Sequence, residues 1–248
     1  TLLPLARRIL ADVNYAKRLL ADDVETGQGE LSVGAIPTVA PYLLPRVLRR
    51  FGRANPAADI HIEEDFTDNL VAKLLRAELD VALTSLPIEN PEIETQELMI
   101  EPLILVLSEA NELAQLEEVG VGDLGEQPVV VLQEMHCLSG QVETFCANYR
   151  VARTVRCRAA QMLTLVRLVR EGLGISFLPR MWATVEGTEG LQFRCVADGQ
   201  PERAIAAAWH RGRHRPALVE RFLDLVKQEC ALLEQHGEST LRRICGRD

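Results

Sequence analysis

The chain has 248 residues, 47% of them hydrophobic, with mean hydropathy near zero, enough apolar material for one large domain or two smaller ones. No apolar run approaches the roughly 20 residues that span a bilayer, and the opening TLLPLARRILADVNYAKRLL is broken by charges where a signal peptide would be continuously apolar, so a cytoplasmic setting without a membrane partner is expected. A net charge of −9 argues against a chain that grips nucleic acid by itself.

In the opening segment Leu2, Leu5, Ile9, Val13, Ala16 and Leu20 recur every three or four residues, with Arg7, Arg8, Asp12, Lys17 and Arg18 on other faces. This predicts an amphipathic helix of about six turns. It ends near the flexible Thr26-Gly27-Gln28-Gly29. Its apolar stripe needs a partner, and the Gly-rich break favours a second copy over the chain's own body.

Strands are then expected at 31–36, 60–62 and 81–83, alternating with helices at 41–54 and 67–76, the second capped by the Thr67 hydroxyl. Such order implies a parallel sheet with right-handed crossovers, which binds ligands at the carboxyl ends of its strands. A second unit repeats the alternation. It has strands at 103–107, 129–132, 155–157 and 175–178 and helices at 140–149 and 162–171, the latter closed by Gly172. A strand at 205–209 and an amphipathic helix at 217–233 follow. The predicted class is α/β, as two lobes with a cleft between their strand ends. Lobe I takes 29–102 and 204–235, lobe II takes 103–203, a leading helix occupies 1–28, and 236–248 is a tail.

The familiar catalytic motifs are missing: there is no G-x-S-x-G, G-x-x-x-x-G-K-[ST] or H-E-x-x-H, and no G-x-G-x-x-G after a strand. The chain is therefore not expected to be an enzyme. His61, His136, His210, His214 and His236 lack a metal-ligand spacing with acidic partners, so neither metal nor cofactor is expected. Six cysteines, scattered and without a C-x-x-C pair, do not make a secreted disulfide scaffold or a zinc site.

What remains is the strand-to-helix junctions and one cysteine segment. Thr38, in Ile36-Pro37-Thr38-Val39-Ala40-Pro41, offers a hydroxyl beside free backbone N–H groups, suited to a small polar or anionic ligand or, more simply, to capping the helix. Thr67 poses the same choice at the next junction. In Gln133-Glu134-Met135-His136-Cys137-Leu138-Ser139-Gly140-Gln141-Val142-Glu143-Thr144-Phe145-Cys146 two thiols stand nine residues apart. Val142, Phe145, Cys146 and Tyr149 share a helical stripe, which buries Cys146. Cys137 is expected in the preceding loop, where His136 and the helix's positive end both favour a thiolate. Were the helix to reach back to Cys137, nine residues would separate the two anchors by roughly 13 Å. A disulfide needs Cα atoms within about 7 Å, so the pair could bond only if the helix unwound.

The stretch from Gly34-Ala35-Ile36-Pro37-Thr38 to Pro45, the acidic Glu63-Glu64-Asp65-Phe66-Thr67, Leu79-Asp80, and Gly172-Leu173-Gly174-Ile175-Ser176-Phe177-Leu178-Pro179 resemble the effector domain of LysR-type transcriptional regulators. The resemblance runs from about residue 29 to 233. His136-Cys137-Leu138, Gln141 and Phe145-Cys146 narrow it to the OxyR-like, peroxide-sensing branch. It implies two Rossmann-like lobes of periplasmic-binding-protein type, a leading linker helix used in dimerisation, and a winged helix-turn-helix DNA-binding domain preceding it in the complete protein. Partners implied are hydrogen peroxide or a small-molecule effector, further copies of the chain in a homodimer or homotetramer, and DNA and RNA polymerase through the full-length protein only.

It also implies that Cys137 is the peroxidatic thiol and Cys146 the thiol that resolves its sulfenic acid into a disulfide, with Thr38, Thr67, His136 and Arg203 holding the peroxide. The branch usually reads Gly-His-Cys-Leu-Arg-Asp, whereas Met135 and Ser139-Gly140 stand here. Gly140 should ease local unwinding. Gln161 replaces a hydroxyl residue common at the opposite helix start. The competing readings are a LysR-type regulator that binds an organic effector, with incidental cysteines, and a two-lobe solute-binding protein or related enzyme.

Overall fold

The computed structural model describes residues 29–245 apart from 117, 126, 153, 185–187 and 198, together with Leu2, Ala6, Ile9, Val13 and Ala16; for 184 and 238–245 it describes the backbone alone. Most of the expected leading helix and its Gly-rich break thus lie outside the described residues, but the five described positions are helical and exposed. The chain divides into two compact units, residues 1–99 with 204–232 and residues 100–203 with 233–248.

In the first unit β1 (Gly29–Ala35) pairs in parallel with β2 (Ala58–Glu64) and β3 (Val81–Ser85). The connecting helices α1 (Ala40–Ala54) and α2 (Thr67–Leu75) are the crossovers that parallel pairing demands. On the other side of β3 lies β9 (Glu202–His210), antiparallel, and beside it β4 (Ile93–Ser108). The core follows the apolar periodicity: Leu43, Leu44, Val47 and Phe51 of α1 are buried with Leu31, Val33 and Ala35 of β1. Gly34 is needed where α2 closes on β1, since a Cβ there would stand 2.6 Å from Leu79 Cδ1 and 2.7 Å from Leu70 Cδ2. The long helix α5 (Ala217–Cys245) seals this unit through Phe222, whose ring meets Phe51 edge-on at 5.9 Å.

In the second unit β4 is flanked by β7 (Ser176–Pro179) and β8 (Leu191–Arg194), both antiparallel. Nearby, β5 (Pro128–Leu132) and β6 (Thr154–Ala159) pair in parallel, and Val129 bridges to Ile175. The helix α3 (Cys137–Asn148) follows β5 and α4 (Met162–Arg170) follows β6. Gly172 closes α4 at φ 74°, with Gly172 N–H on Val169 O and Leu173 N–H on Leu168 O, the bonding that left-handed C-terminal glycines provide.

Three elements differ from expectation. β4 begins ten residues before the apolar run at 103–107, because in Ile93-Glu94-Thr95-Gln96-Glu97 only Ile93 is buried, which leaves no apolar alternation to mark the strand, while β4 as a whole runs beside β9. β8 was not legible, its buried Leu191 being followed by half-buried Gln192, Phe193 and Arg194. α5 continues past residue 233 through polar Glu234, Gln235 and His236 to Cys245.

Phe222 is fully buried. Phe222→Ala should lower unfolding free energy by about 3–5 kcal/mol in urea titration, the usual cost of deleting a core aromatic ring. A loss within the surface range of about 0.5 kcal/mol would show that α5 does not hold the first unit.

Candidate functional site

The cysteine segment is a single helix in the structure. α3 starts at Cys137, three residues before the expected Gly140, with His136 as its N-terminal flanking residue in extended conformation. Cys137 is therefore not a loop thiol but the first helical residue. The cause is a tertiary bond: Ser139 is buried, and its Oγ donates to Leu132 O, at the end of β5, at 3.1 Å. Ser139 N–H also donates to His136 O at 2.9 Å. Gly140 sits on the exposed side, and a Cβ added there would meet nothing within 4 Å.

Cys137 is half-buried and Cys146 buried, and neither is in a disulfide. Nine residues of continuous helix separate them by about 13.5 Å along the axis, nearly twice the disulfide limit of about 7 Å between Cα atoms. Phe145 is packed beside Cys146, its ring 5.4 Å from Phe177 and 5.0 Å from Tyr149. Tyr149 itself is 44% exposed, so the predicted apolar stripe ends one turn early. The inner face of α3, with Leu138, Ser139, Val142 and Cys146, lines a cavity of about 30 Å³ that it shares with Val131, Leu165, Ile175 and Phe177. Of the other cysteines Cys157 and Cys230 are not in a disulfide, Cys195 is disulfide-bonded, and the Cys245 side chain lies outside the described residues.

His136 does not act as the charged neighbour that its position predicts. It is buried, with Nε2 3.0 Å from Ala160 O, and burial holds its pKa below the usual histidine value against the opposing pull of that carbonyl. A carbonyl only accepts, so Nε2 carries the proton and the neutral ring keeps its lone pair on Nδ1.

The first unit holds the two threonines. Thr38 is buried in the turn before α1, but Val39 occupies the cap position and no side chain caps the helix. Thr67 is the first residue of α2 behind Phe66, again without a side-chain cap. Helical dihedrals turn its hydroxyl to the sheet instead, and Thr67 Oγ1 lies 3.1 Å from Thr84 Oγ1. Thr84 and Ser85, buried at the end of β3, are polar partners that the sequence reading missed. Their only signal was two hydroxyls closing an apolar strand. Close by, burial pushes the Asp65 carboxyl up, but bonds from Lys73 at 2.9 Å, Asn69 at 2.7 Å and Phe66 N–H at 2.8 Å outweigh it and hold the group below its usual range.

Arg203 belongs to the second unit, with a fully buried side chain. Its Nε and Nη2 donate to Glu101 Oε2 at 2.9 and 2.8 Å, and Glu101 Oε1 accepts from Met181 N–H at 2.7 Å. Gln161 is the flanking residue of α4 and makes no capping bond. Among the described residues no group of three or more His, Cys, Asp or Glu is placed to hold a metal ion, and no helix is long and apolar enough to cross a membrane.

The neutral state of His136 has a testable consequence. Its folded pKa lies below the unfolded value of about 6.5, so the unfolded chain takes up the proton first as pH falls. The associated stability is complete above pH 6.5 and lost below it. The urea midpoint of the wild type should therefore fall more between pH 7.5 and pH 5.5 than that of His136→Gln. Parallel pH profiles would show that His136 is not held neutral by the fold.

Comparison with known proteins agrees with this geometry. Residues 25–231 match the family described as LysR substrate binding domain. OxyR of Escherichia coli, a DNA-binding transcriptional dual regulator, is 28% identical over 239 residues, covering 96% of this chain and 77% of that protein. A probable hydrogen peroxide-inducible genes activator of Mycobacterium avium is 31% identical over 227 residues, 91% of this chain and 73% of its own. Among solved structures a cysteine mutant of Corynebacterium glutamicum OxyR aligns at a TM-score of 0.79 with 28% identity, covering 96% of this chain and 76% of that one. The reduced OxyR regulatory domain of Pseudomonas aeruginosa aligns at 0.72 with 28% identity, over 82% of this chain and 99% of that one. The chain belongs to the LysR substrate-binding domain family, in its OxyR-like branch, a family of transcriptional regulators rather than enzymes.

Proposed function

We propose that this chain senses hydrogen peroxide for a LysR-type regulator through oxidation of Cys137 and formation of a Cys137–Cys146 disulfide. The observation that carries the reading is α3 itself: a half-buried thiol on its first residue and a buried thiol nine residues along the same helix. The peroxide-inducible activators among its relatives support the choice of oxidant.

The Cys137 thiolate attacks the O–O bond, giving a sulfenic acid and a hydroxide that leaves as water after taking a proton. N–H groups at the helix start are donors suited to the charge that develops. Cys146 then attacks the sulfenic sulfur, forming the disulfide and releasing water. The second step cannot occur on intact α3. Cys137 and Cys146 approach only if the helix between them unwinds, and that refolding is the signal passed on, in the full-length protein, to DNA binding and transcription. For Thr38, Thr67 and Arg203 a part in holding peroxide rests on the family pattern alone. Self-association into a dimer or tetramer is supported by the apolar Leu2, Ile9 and Val13, which are 78%, 55% and 46% exposed on one helical stripe.

Treatment with stoichiometric peroxide, alkylation and peptide mass spectrometry should yield a linked Cys137–Cys146 pair, and Cys137→Ser should abolish both the link and the transcriptional response. Unmodified Cys137 in the wild type, or a response that survives Cys137→Ser, would sink the reading in favour of an organic effector.

Gly140→Ala should be accommodated, because the added Cβ meets nothing. It should stabilise the helix by about 0.5–1 kcal/mol. Disulfide closure measured by quenched alkylation should then slow severalfold, whereas unchanged closure would mean that unwinding at Gly140 does not limit the reaction.

A further inference from the structure

The release of α3, on which the disulfide reading above depends, has its own control point. On the inner face of the helix Leu138, Val142 and Cys146 border the cavity of about 30 Å³. Apolar atoms facing a void lack partners on that side and forgo dispersion contacts there. The same face carries a buried polar tie to the sheet: Ser139 Oγ to Leu132 O, 3.1 Å, with Ser139 4% exposed and Leu132 2% exposed. Ser139 is the third residue of α3, so this tie clamps the turn that begins at Cys137. Beyond it Gly140 is exposed, and a Cβ added there would meet nothing within 4 Å.

We propose that Ser139 is a positioning residue, a latch whose hydrogen bond to Leu132 holds the first turn of α3 on β5 and sets how readily oxidised Cys137 reaches Cys146. The latch does not take part in either covalent step. Peroxide oxidises Cys137 to the sulfenic acid while being reduced to water, and Cys146 then displaces the sulfenic oxygen as a second water. A second peroxide can instead oxidise the waiting sulfenic acid to a sulfinic acid. The latch therefore governs the partition between a reversible disulfide and irreversible overoxidation. A merely structural serine would alter stability but not this partition.

The test uses the whole chain, reduced and then mixed with one to ten equivalents of hydrogen peroxide. Samples are quenched over time with a sulfenic-acid trap and an alkylating agent and read by mass. In Ser139→Ala the sulfenic acid should form at the wild-type rate, whereas closure should be about fivefold faster, as expected for loss of one net hydrogen bond, with less sulfinic acid. Alanine is the better helix former, so propensity works against this result and cannot produce it. Ser139→Thr and Ser139→Val, alike in shape, provide the comparison should Ser139→Ala not fold. Val should close faster than Thr, and Thr should restore the wild-type partition.

Normal sulfenic acid formation with unchanged or slower closure in Ser139→Ala, or equal closure in the Thr and Val variants, overturns the latch and leaves the disulfide reading standing. Failure of the wild type to form sulfenic acid at Cys137 overturns both.

Discussion

The proposed sensing depends on the unbroken backbone hydrogen bonding of α3 between Cys137 and Cys146. A helix is a spacer of fixed rise, and nine residues hold the two anchors about 13.5 Å apart. The thiols are close in sequence, and in a flexible loop they would meet easily. On a helix they are insulated from each other, so the bond between them can form only through a change of secondary structure. Under the proposed mechanism the redox state of two sulfur atoms becomes equivalent to a structural state of a dozen residues.

The surroundings of α3 are consistent with a helix that must hold and also let go. Among its holding contacts are Ser139 on Leu132 O at one end and Phe145 against Phe177 at the other. Between them lie an exposed Gly140 and a small cavity. By contrast the Arg203–Glu101 pair, fully buried and tied to Met181 N–H, is a fixed element. Removing either partner would strand a buried charge, at a cost of about 3–5 kcal/mol.

Much of this was legible in the residues. The β–α alternation, the α1 core of Leu43, Val47 and Phe51, the Gly172 stop and the burial of Cys146 all follow from local periodicity and turn chemistry. The errors share one physical cause, which is partners distant in sequence. The helix is expected to start at Gly140, yet Ser139 finds a carbonyl on β5 and the helix runs back to Cys137. His136 reads as a cation, yet burial beside Ala160 O keeps it neutral. Thr67 reads as a cap, yet its hydroxyl pairs with Thr84, 17 residues on. Glu101, 102 residues from Arg203, could not be paired with it by any local pattern.

The most direct measurement is amide hydrogen exchange across residues 137–148, before and after oxidation by peroxide, with α4 as an internal reference. Backbone amides in a formed helix exchange slowly, and those in unwound chain exchange fast. In the reduced protein α3 should be protected, and in the oxidised protein that protection should collapse while α4 keeps its own. A linked Cys137–Cys146 pair with the α3 amides still protected, or a reduced α3 that already exchanges like open chain, would contradict the claim that the helix keeps the two thiols apart.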